Sequence, residues 1–182
     1  MSSLPRSSRA PQSARRLGPS SPYPFLPQLL DGIDYSRYSI LSLVERVAAY
    51  RSRPIILCPF ELPDPTHFGS WIASPSRDFI FFIWNTARVH QDHTICHELA
   101  HMLLGHTTRV VGGDVDALRL VGLGLARQLS NLHRSPRERA AEQLALTIQQ
   151  ALIERVGLEA LTASTATTPL WAELVTWWGL DH

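Results

Sequence analysis

Residues 90–106 read HQDHTICHELAHMLLGH, and this stretch holds five of the eight histidines in the 182-residue chain. Apolar residues recur within it at helical spacing, and Gly105 stands where a helix would end. The sequence therefore predicts a helix that begins at Thr86 or Asp92, continues to Leu104 and carries the histidines.

His97, Glu98 and His101 form an HExxH pattern inside this predicted helix. Residues four apart on a helix differ by about 40° and one turn, so both imidazoles reach the same point beside it. Two nitrogen ligands on a rigid element suit zinc. Glu98 is turned about 100° from His97, where its carboxylate can act on a water beside the metal without taking a coordination position. We therefore expect Zn²⁺ as the cofactor and Glu98 as the general base.

The same angles sort the other histidines of this stretch. His93 and His90 precede His97 by four and seven residues, so a helix extended that far puts both near the side that faces the metal. We predict that His93 lines the cleft, with direct metal binding as the alternative. His106 lies about 180° from His97 on a regular helix, which excludes it as a ligand.

A catalytic zinc ion usually has three protein ligands, so a third must come from elsewhere in the chain. The candidate carboxylate ligands are Asp114, Asp116, Glu138 and Glu142. Glu138 and Glu142 are four apart on a predicted helix, so one can bind the metal while the other holds a histidine. Ser135-x-x-Glu138 also matches a capping box, in which the Glu138 carboxylate would return to the N-cap amide. Spacing alone leaves both glutamates open.

The chain divides by composition into three parts. Residues 1–28 are rich in Ser, Pro and Arg and predict a disordered leader. Residues 29–160 predict one domain of α+β class, and the HExxH pattern within it is typical of a metallopeptidase domain. Residues 161–182 predict a linker followed by a helix that docks its Leu and Trp side chains on the core.

Within the central domain we predict a three-stranded antiparallel sheet packed on a bundle of helices that contains the HExxH helix. Short loops between the strands favour the antiparallel arrangement. Asp34 or Ser36 is expected to be the N-cap of a helix that ends near Pro54. Ser135 is expected to be the N-cap of a long helix that ends near Val156. The predicted strands span residues 54–60, 68–74 and 78–84.

Composition excludes several classes of function. Lys+Arg is 17 against Asp+Glu 16, so the net charge of +1 gives no general reason to expect nucleic acid or an anionic membrane as a partner. The two cysteines, Cys58 and Cys96, match neither a disulfide framework nor a cysteine zinc site. No stretch has the roughly 18 apolar residues of a membrane span. We therefore expect a soluble cytoplasmic protein.

Three parts of the chain together resemble the ImmA/IrrE family of metallo-endopeptidases, in particular short actinobacterial members described as toxin components. They are the strand-rich residues 53–59 and 68–73, the histidine stretch 90–106, and residues 138–145. The family pattern in the last part resembles ExEAxxFA, and this chain has Ala140 and Leu144 in place of its second Glu and its Phe. The resemblance covers roughly residues 35–155.

This resemblance implies a minimal zincin-like fold and the ligand arrangement of gluzincins. Carried over, it makes Glu138 the third metal ligand beside His97 and His101, with Glu142 holding one of these histidines. It also implies a protein substrate, such as a helix-turn-helix repressor encoded nearby.

The leading hypothesis is a zinc-dependent endopeptidase that cleaves a peptide bond in a protein. Residues 78–84, if they form a sheet edge beside the metal, could bind the substrate as an added strand. An alternative is a metal-stabilised toxin component or regulatory interaction module without proteolytic activity. Hydrolysis of a non-peptide substrate is a third possibility.

Overall fold

The structure is a computed structural model that describes residues 22–33, 39–61, 69–106, 108–116, 135–156, 170, 173 and 174. Helices and strands are mixed along these residues, in agreement with the predicted α+β class. The main elements, in chain order, are α1 (Leu26–Leu30), α2 (Ile40–Arg51), β1 (Ile55–Phe60), β2 (Gly69–Ala73), β3 (Asp78–Ile83), α3 (Arg88–Leu103), β4 (Arg109–Val110) and α4 (Pro136–Val156).

The sheet is mixed, with strand order β1-β3-β2-β4. β3 pairs in parallel with β1 and antiparallel with β2, while the two-residue β4 pairs in parallel with β2. The predicted three-stranded antiparallel sheet is therefore wrong in the direction of β1 and in missing β4. Short loops favour antiparallel pairing only between strands that are both consecutive and adjacent. Among the three predicted strands only β2 and β3 meet that condition, because β3 lies between β1 and β2.

The central position of β3 explains its continuous apolar sequence. All of its residues are buried, and side chains of both faces pack into apolar clusters. Ile80 and Phe82 belong to the larger cluster with the helices, and Phe79 and Phe81 to a second cluster on the opposite face. The hypothesis that these residues form a substrate-binding sheet edge is therefore wrong.

The larger core lies between the sheet and the helices. Ala141 and Ala145 of α4 are fully buried, and the Cys96 Sγ of α3 lies 3.6 Å from the Ala145 carbonyl oxygen. Small side chains at these positions allow α3 and α4 to approach closely. Leu170 and Leu174 are buried in the same core, as predicted for the C-terminal segment, whereas its tryptophans at 171, 177 and 178 lie outside the described residues.

Two predictions at the N-terminal side need correction. Tyr23 and Leu26 are buried in the core, so the leader cannot extend to residue 28. Pro27 fits α1 because a proline in the first helical turn gives up no helical hydrogen bond. Ser39 is the N-cap of α2, and its hydroxyl accepts a hydrogen bond from the Leu41 N–H. The predicted caps Asp34 and Ser36 lie outside the described residues.

α3 ends at Leu103, close to the predicted end, and the chain then reverses. Gly105 has φ of 65°, a left-handed conformation that glycine adopts without steric cost. Its N–H donates to the Met102 carbonyl at 3.2 Å, and the N–H of His106 donates to the His101 carbonyl at 3.0 Å. These two bonds form a Schellman motif. The motif brings His106 back against the last turn of α3.

Asp78 connects the sheet to two helices through a buried charge network. Its fully buried carboxylate lies 2.9 Å from Arg51 Nη2 and 3.0 Å from Arg53 Nε, and it accepts a bond from Trp71 Nε1 at 3.1 Å. Arg51 also donates to the Met102 carbonyl at 2.8 Å, at the C-terminal end of α3. The network therefore holds the end of the histidine helix against the sheet.

Replacement of Asp78 by Ala should lower the free energy of unfolding by about 3–5 kcal/mol, because it leaves two partly buried guanidinium groups without their carboxylate. Urea unfolding measures the change. The control is Asp114→Ala, which breaks an ion pair of 3.1 Å between side chains that are 43% and 39% exposed, and should change stability little. Equal unfolding midpoints for Asp78→Ala and the wild type would contradict this role.

Candidate metal centre

Three side-chain atoms from two helices converge on one point. His97 Nε2 and His101 Nε2 lie 3.0 Å apart, and Glu138 Oε2 lies 3.3 Å from the first and 3.4 Å from the second. The histidines come from α3 and the glutamate from the first turn of α4. All three side chains are half-buried. Among the described residues, this is the cluster of His, Cys, Asp and Glu that could hold a metal ion.

The separations fit a tetrahedral metal site. Ligand atoms about 2.0–2.1 Å from a tetrahedral ion lie roughly 3.3–3.4 Å from one another. The measured triangle is close to this size, so the three atoms need to move little to bind an ion. We conclude that the geometry of the cluster can hold a metal.

The protons around the triangle also favour a cation. Glu142 Oε2 lies 3.1 Å from His97 Nδ1 and can accept a proton carried by this nitrogen, which leaves Nε2 to face the cluster. Burial lowers the pKa of His101 to about 4, which keeps its ring neutral at pH 7. When the His97 proton is on Nδ1, two imidazole nitrogens and a carboxylate oxygen face one another, and this set of donors suits a positive ion.

Glu138 makes two kinds of contact at the start of α4, one through its backbone and one through its side chain. Its backbone N–H donates to the Ser135 hydroxyl at 3.2 Å, as expected of a residue in a capping box. Its carboxylate lies against the two histidines, where it completes the triangle with His97 and His101. The geometry thus places Glu138 in the cluster. Asp114 pairs with Arg77, and among the described residues neither it nor Asp116 belongs to the cluster.

Glu142 and His93 lie on the far side of His97 from the triangle. Glu142 Oε2 contacts His97 Nδ1 at 3.1 Å and His93 Nε2 at 3.4 Å, while His93 Nδ1 lies 3.1 Å from Gln149 Oε1. Glu142 is therefore placed to orient His97, as the sequence predicted for one of the two glutamates. His93 reaches Glu142 rather than the triangle, so its placement does not support direct metal binding. The contact of Gln149 with His93 had no sequence signal.

Glu98 points from α3 toward β2 and is buried. A Cβ atom built on Gly69 would lie 2.9 Å from Glu98 Oε1 and 2.5 Å from Thr94 Cγ2, so only glycine leaves room for this carboxylate. Burial raises the pKa of Glu98 to about 8, and the negative charge of Glu138 acts in the same direction, whereas a hydrogen bond from the Trp71 backbone opposes both. The protonated form of Glu98 is therefore favoured at pH 7, and the carboxylate that can accept a proton forms as the pH rises through about 8.

His106 contacts His101 from the side opposite the triangle. Their Nδ1 atoms lie 2.9 Å apart. The prediction that places His106 about 180° from His97 assumes a regular helix through residue 106, but α3 ends at Leu103. His106 does not belong to the cluster of His97, His101 and Glu138, as expected, but it contacts His101. Gly105 is the sequence signal for this contact, because a glycine at that position predicts the Schellman motif that turns the chain back.

Comparisons with known proteins identify no relative. No protein-family model matches the chain, and neither the curated proteins nor the solved structures gave a significant match. Across the described residues, no helix combines the length and the apolar character required to cross a membrane. The chemistry of the cluster is therefore the starting point for a function.

The affinity for zinc should distinguish the roles of the two glutamates of α4. With zinc as the probe, Glu142→Gln should weaken binding by about 10–100-fold, because it weakens the orientation of His97. Glu138→Gln should weaken it further, because it removes the anionic member of the triangle. Competition with a chromogenic chelator measures both affinities. A larger loss in Glu142→Gln than in Glu138→Gln would reverse their roles.

Proposed function

We propose that this chain is a zinc-dependent metallo-endopeptidase of the ImmA/IrrE family, with a minimal zincin-like fold. The observation that carries the proposal is the convergence of His97, His101 and Glu138, with the buried carboxylate of Glu98 one residue beyond the first histidine. Three protein donors leave one position of a tetrahedral ion for water or substrate, which is typical of catalytic zinc. A structural zinc site usually has four protein ligands and has no use for Glu98.

Two imidazole nitrogens and one carboxylate oxygen are the donor set that favours zinc. When bound, the ion polarises a carbonyl oxygen and makes water more acidic. His97, His101 and Glu138 would hold it, and Glu142 would orient His97 through the Nδ1 proton.

Glu98 is the residue that moves protons in this proposal. Its carboxylate accepts a proton from the attacking water and then delivers it to the amine that leaves the cleaved peptide bond. Burial and the charge of Glu138 raise its pKa to about 8, which favours the protonated form that delivers a proton to the leaving amine, whereas a cation held by His97, His101 and Glu138 would favour the ionised carboxylate that accepts one. The wall formed by Gly69 and the Trp71 backbone keeps the carboxylate directed along one side of α3.

A protein substrate is supported by the edge of the sheet beside Glu98. Among the described residues β4 pairs with only Ile72 and Ala73 of β2. The Ala73 carbonyl accepts from Val111 on the β4 side, and alternation turns the main-chain groups of Gly69 to that same side. On this side Trp71 already bonds the Thr108 hydroxyl and Glu98, so an extended peptide would add to β2 at Gly69, next to the general base. This edge replaces β3 as the proposed substrate site.

The partner that we propose is a DNA-binding repressor encoded nearby, as the family resemblance implies. A reducing cytoplasm suits the two free thiols of Cys58 and Cys96. The chain itself need not bind DNA, because its net charge is only +1.

The decisive experiment compares the wild type with Glu98→Gln. Incubation of zinc-loaded protein with the product of the adjacent gene should yield cleavage that the variant loses by about 10²–10⁴-fold, while its zinc content is unchanged. Glu154→Gln makes the same substitution on an exposed part of α4 and should cleave normally. Cleavage by Glu98→Gln at the wild-type rate would remove the general-base role. Zinc binding without any cleavage would favour the non-proteolytic interaction module.

Gly69→Ala should impair catalysis without removing the metal ligands. The added methyl group would overlap Thr94 and displace the Glu98 carboxylate, and a displacement of about 1 Å can cost up to 10²-fold in rate. The cleavage assay and zinc content measure the two effects. Gly113→Ala is the matched control, because its Cβ would meet nothing closer than 3.9 Å. Unchanged cleavage by Gly69→Ala would contradict the proposed wall.

A further inference from the structure

We propose that His106 is a positioning residue that sets the tautomer and ring orientation of His101, and so tunes metal affinity at the site. The inference rests on the metal site of the proposed function and concerns a residue that does not touch the metal triangle. It also accounts for a side chain that the proposed reaction does not use.

The positions of the protons carry the first step. His101 presents Nε2 to the triangle, 3.0 Å from His97 Nε2 and 3.4 Å from Glu138 Oε2, so a metal-binding ring must keep that nitrogen unprotonated. The proton of neutral His101 is then on Nδ1. His106 Nδ1 lies 2.9 Å away and is the acceptor for it, which places the proton of His106 on Nε2.

The backbone delivers His106 to this point independently of its side chain. Gly105 in its left-handed conformation closes the Schellman motif, and the His106 N–H is held by the His101 carbonyl at 3.0 Å. The two rings meet edge to face, with centroids 4.9 Å apart and planes at 66°. The same residue pair is therefore joined twice, once by main chain and once by the rings.

Each metal-binding histidine thus has its own partner on the remaining nitrogen. Glu142 accepts from His97, and the neutral ring of His106 accepts from His101. A carboxylate in the position of the His106 ring would add a further negative charge near Glu138 and Glu142. The imidazole orients His101 without that charge.

The test compares His106→Leu with His106→Asn in the full chain. The two side chains have the same shape, but Asn keeps an acceptor oxygen near the position of His Nδ1 and Leu does not. With zinc as the probe, competition with a chromogenic chelator should show about a 10–100-fold loss of affinity in His106→Leu. His106→Asn should recover most of that affinity. The melting temperatures of the two metal-free variants should agree, which separates tautomer control from a packing role.

Gly105 offers a second test that keeps every side chain of the site. Gly105→Ala disfavours the left-handed conformation and should move His106 away from His101, although its Cβ meets no neighbour within 4 Å. Zinc affinity should fall as in His106→Leu. Gly105→Asn should lose less, because Asn tolerates this conformation. If His106→Leu does not fold, the comparison of Gly105→Ala with Gly105→Asn still tests the role of His106.

The outcomes separate this inference from the proposed function. Equal zinc affinity in the wild type, His106→Leu and Gly105→Ala overturns the role of His106, whatever the protein cleaves. A wild-type chain that binds no zinc overturns it as well. A graded loss of affinity in a chain that cleaves no protein supports His106 and rejects the peptidase.

Discussion

The close packing of α3 against α4 is the constraint on which the site depends. His97 and His101 belong to one helix and Glu138 to the other, so the triangle of 3.0, 3.3 and 3.4 Å exists only while the two helices keep their separation. Ala141 and Ala145 are fully buried at this contact. A larger side chain at either position would move the helices apart, and the carboxylate would leave the histidines.

The other face of α3 packs against the sheet, which forms the opposite side of the site. Glu98 is buried against β2, where Gly69 provides the space and the Trp71 backbone provides a hydrogen bond. The Asp78 network binds the end of the same helix through Arg51 and the Met102 carbonyl. One helix therefore presents ligands to α4 and a buried base to β2, with its C-terminal end anchored to the sheet.

Local signals in the sequence predicted most element boundaries. Ser135 and Pro136 indicated the start of α4, Gly105 the end of α3, and apolar runs the three long strands. Strand pairing was predicted wrongly, because β1 and β3 are brought together by a connection whose path local chemistry does not specify. The leader was predicted too long because Pro-rich composition concealed the apolar contacts of Tyr23 and Leu26.

The sequence by itself determined that His97 and His101 share one side of a helix with Glu98 beside them, because helical periodicity depends only on spacing. The tertiary structure decided the rest. It brought Glu138 rather than Glu142 to the triangle, buried Glu98 against Gly69, and turned His106 onto His101. These outcomes depend on distances between separate elements and on where a helix stops, and packing between elements sets such distances.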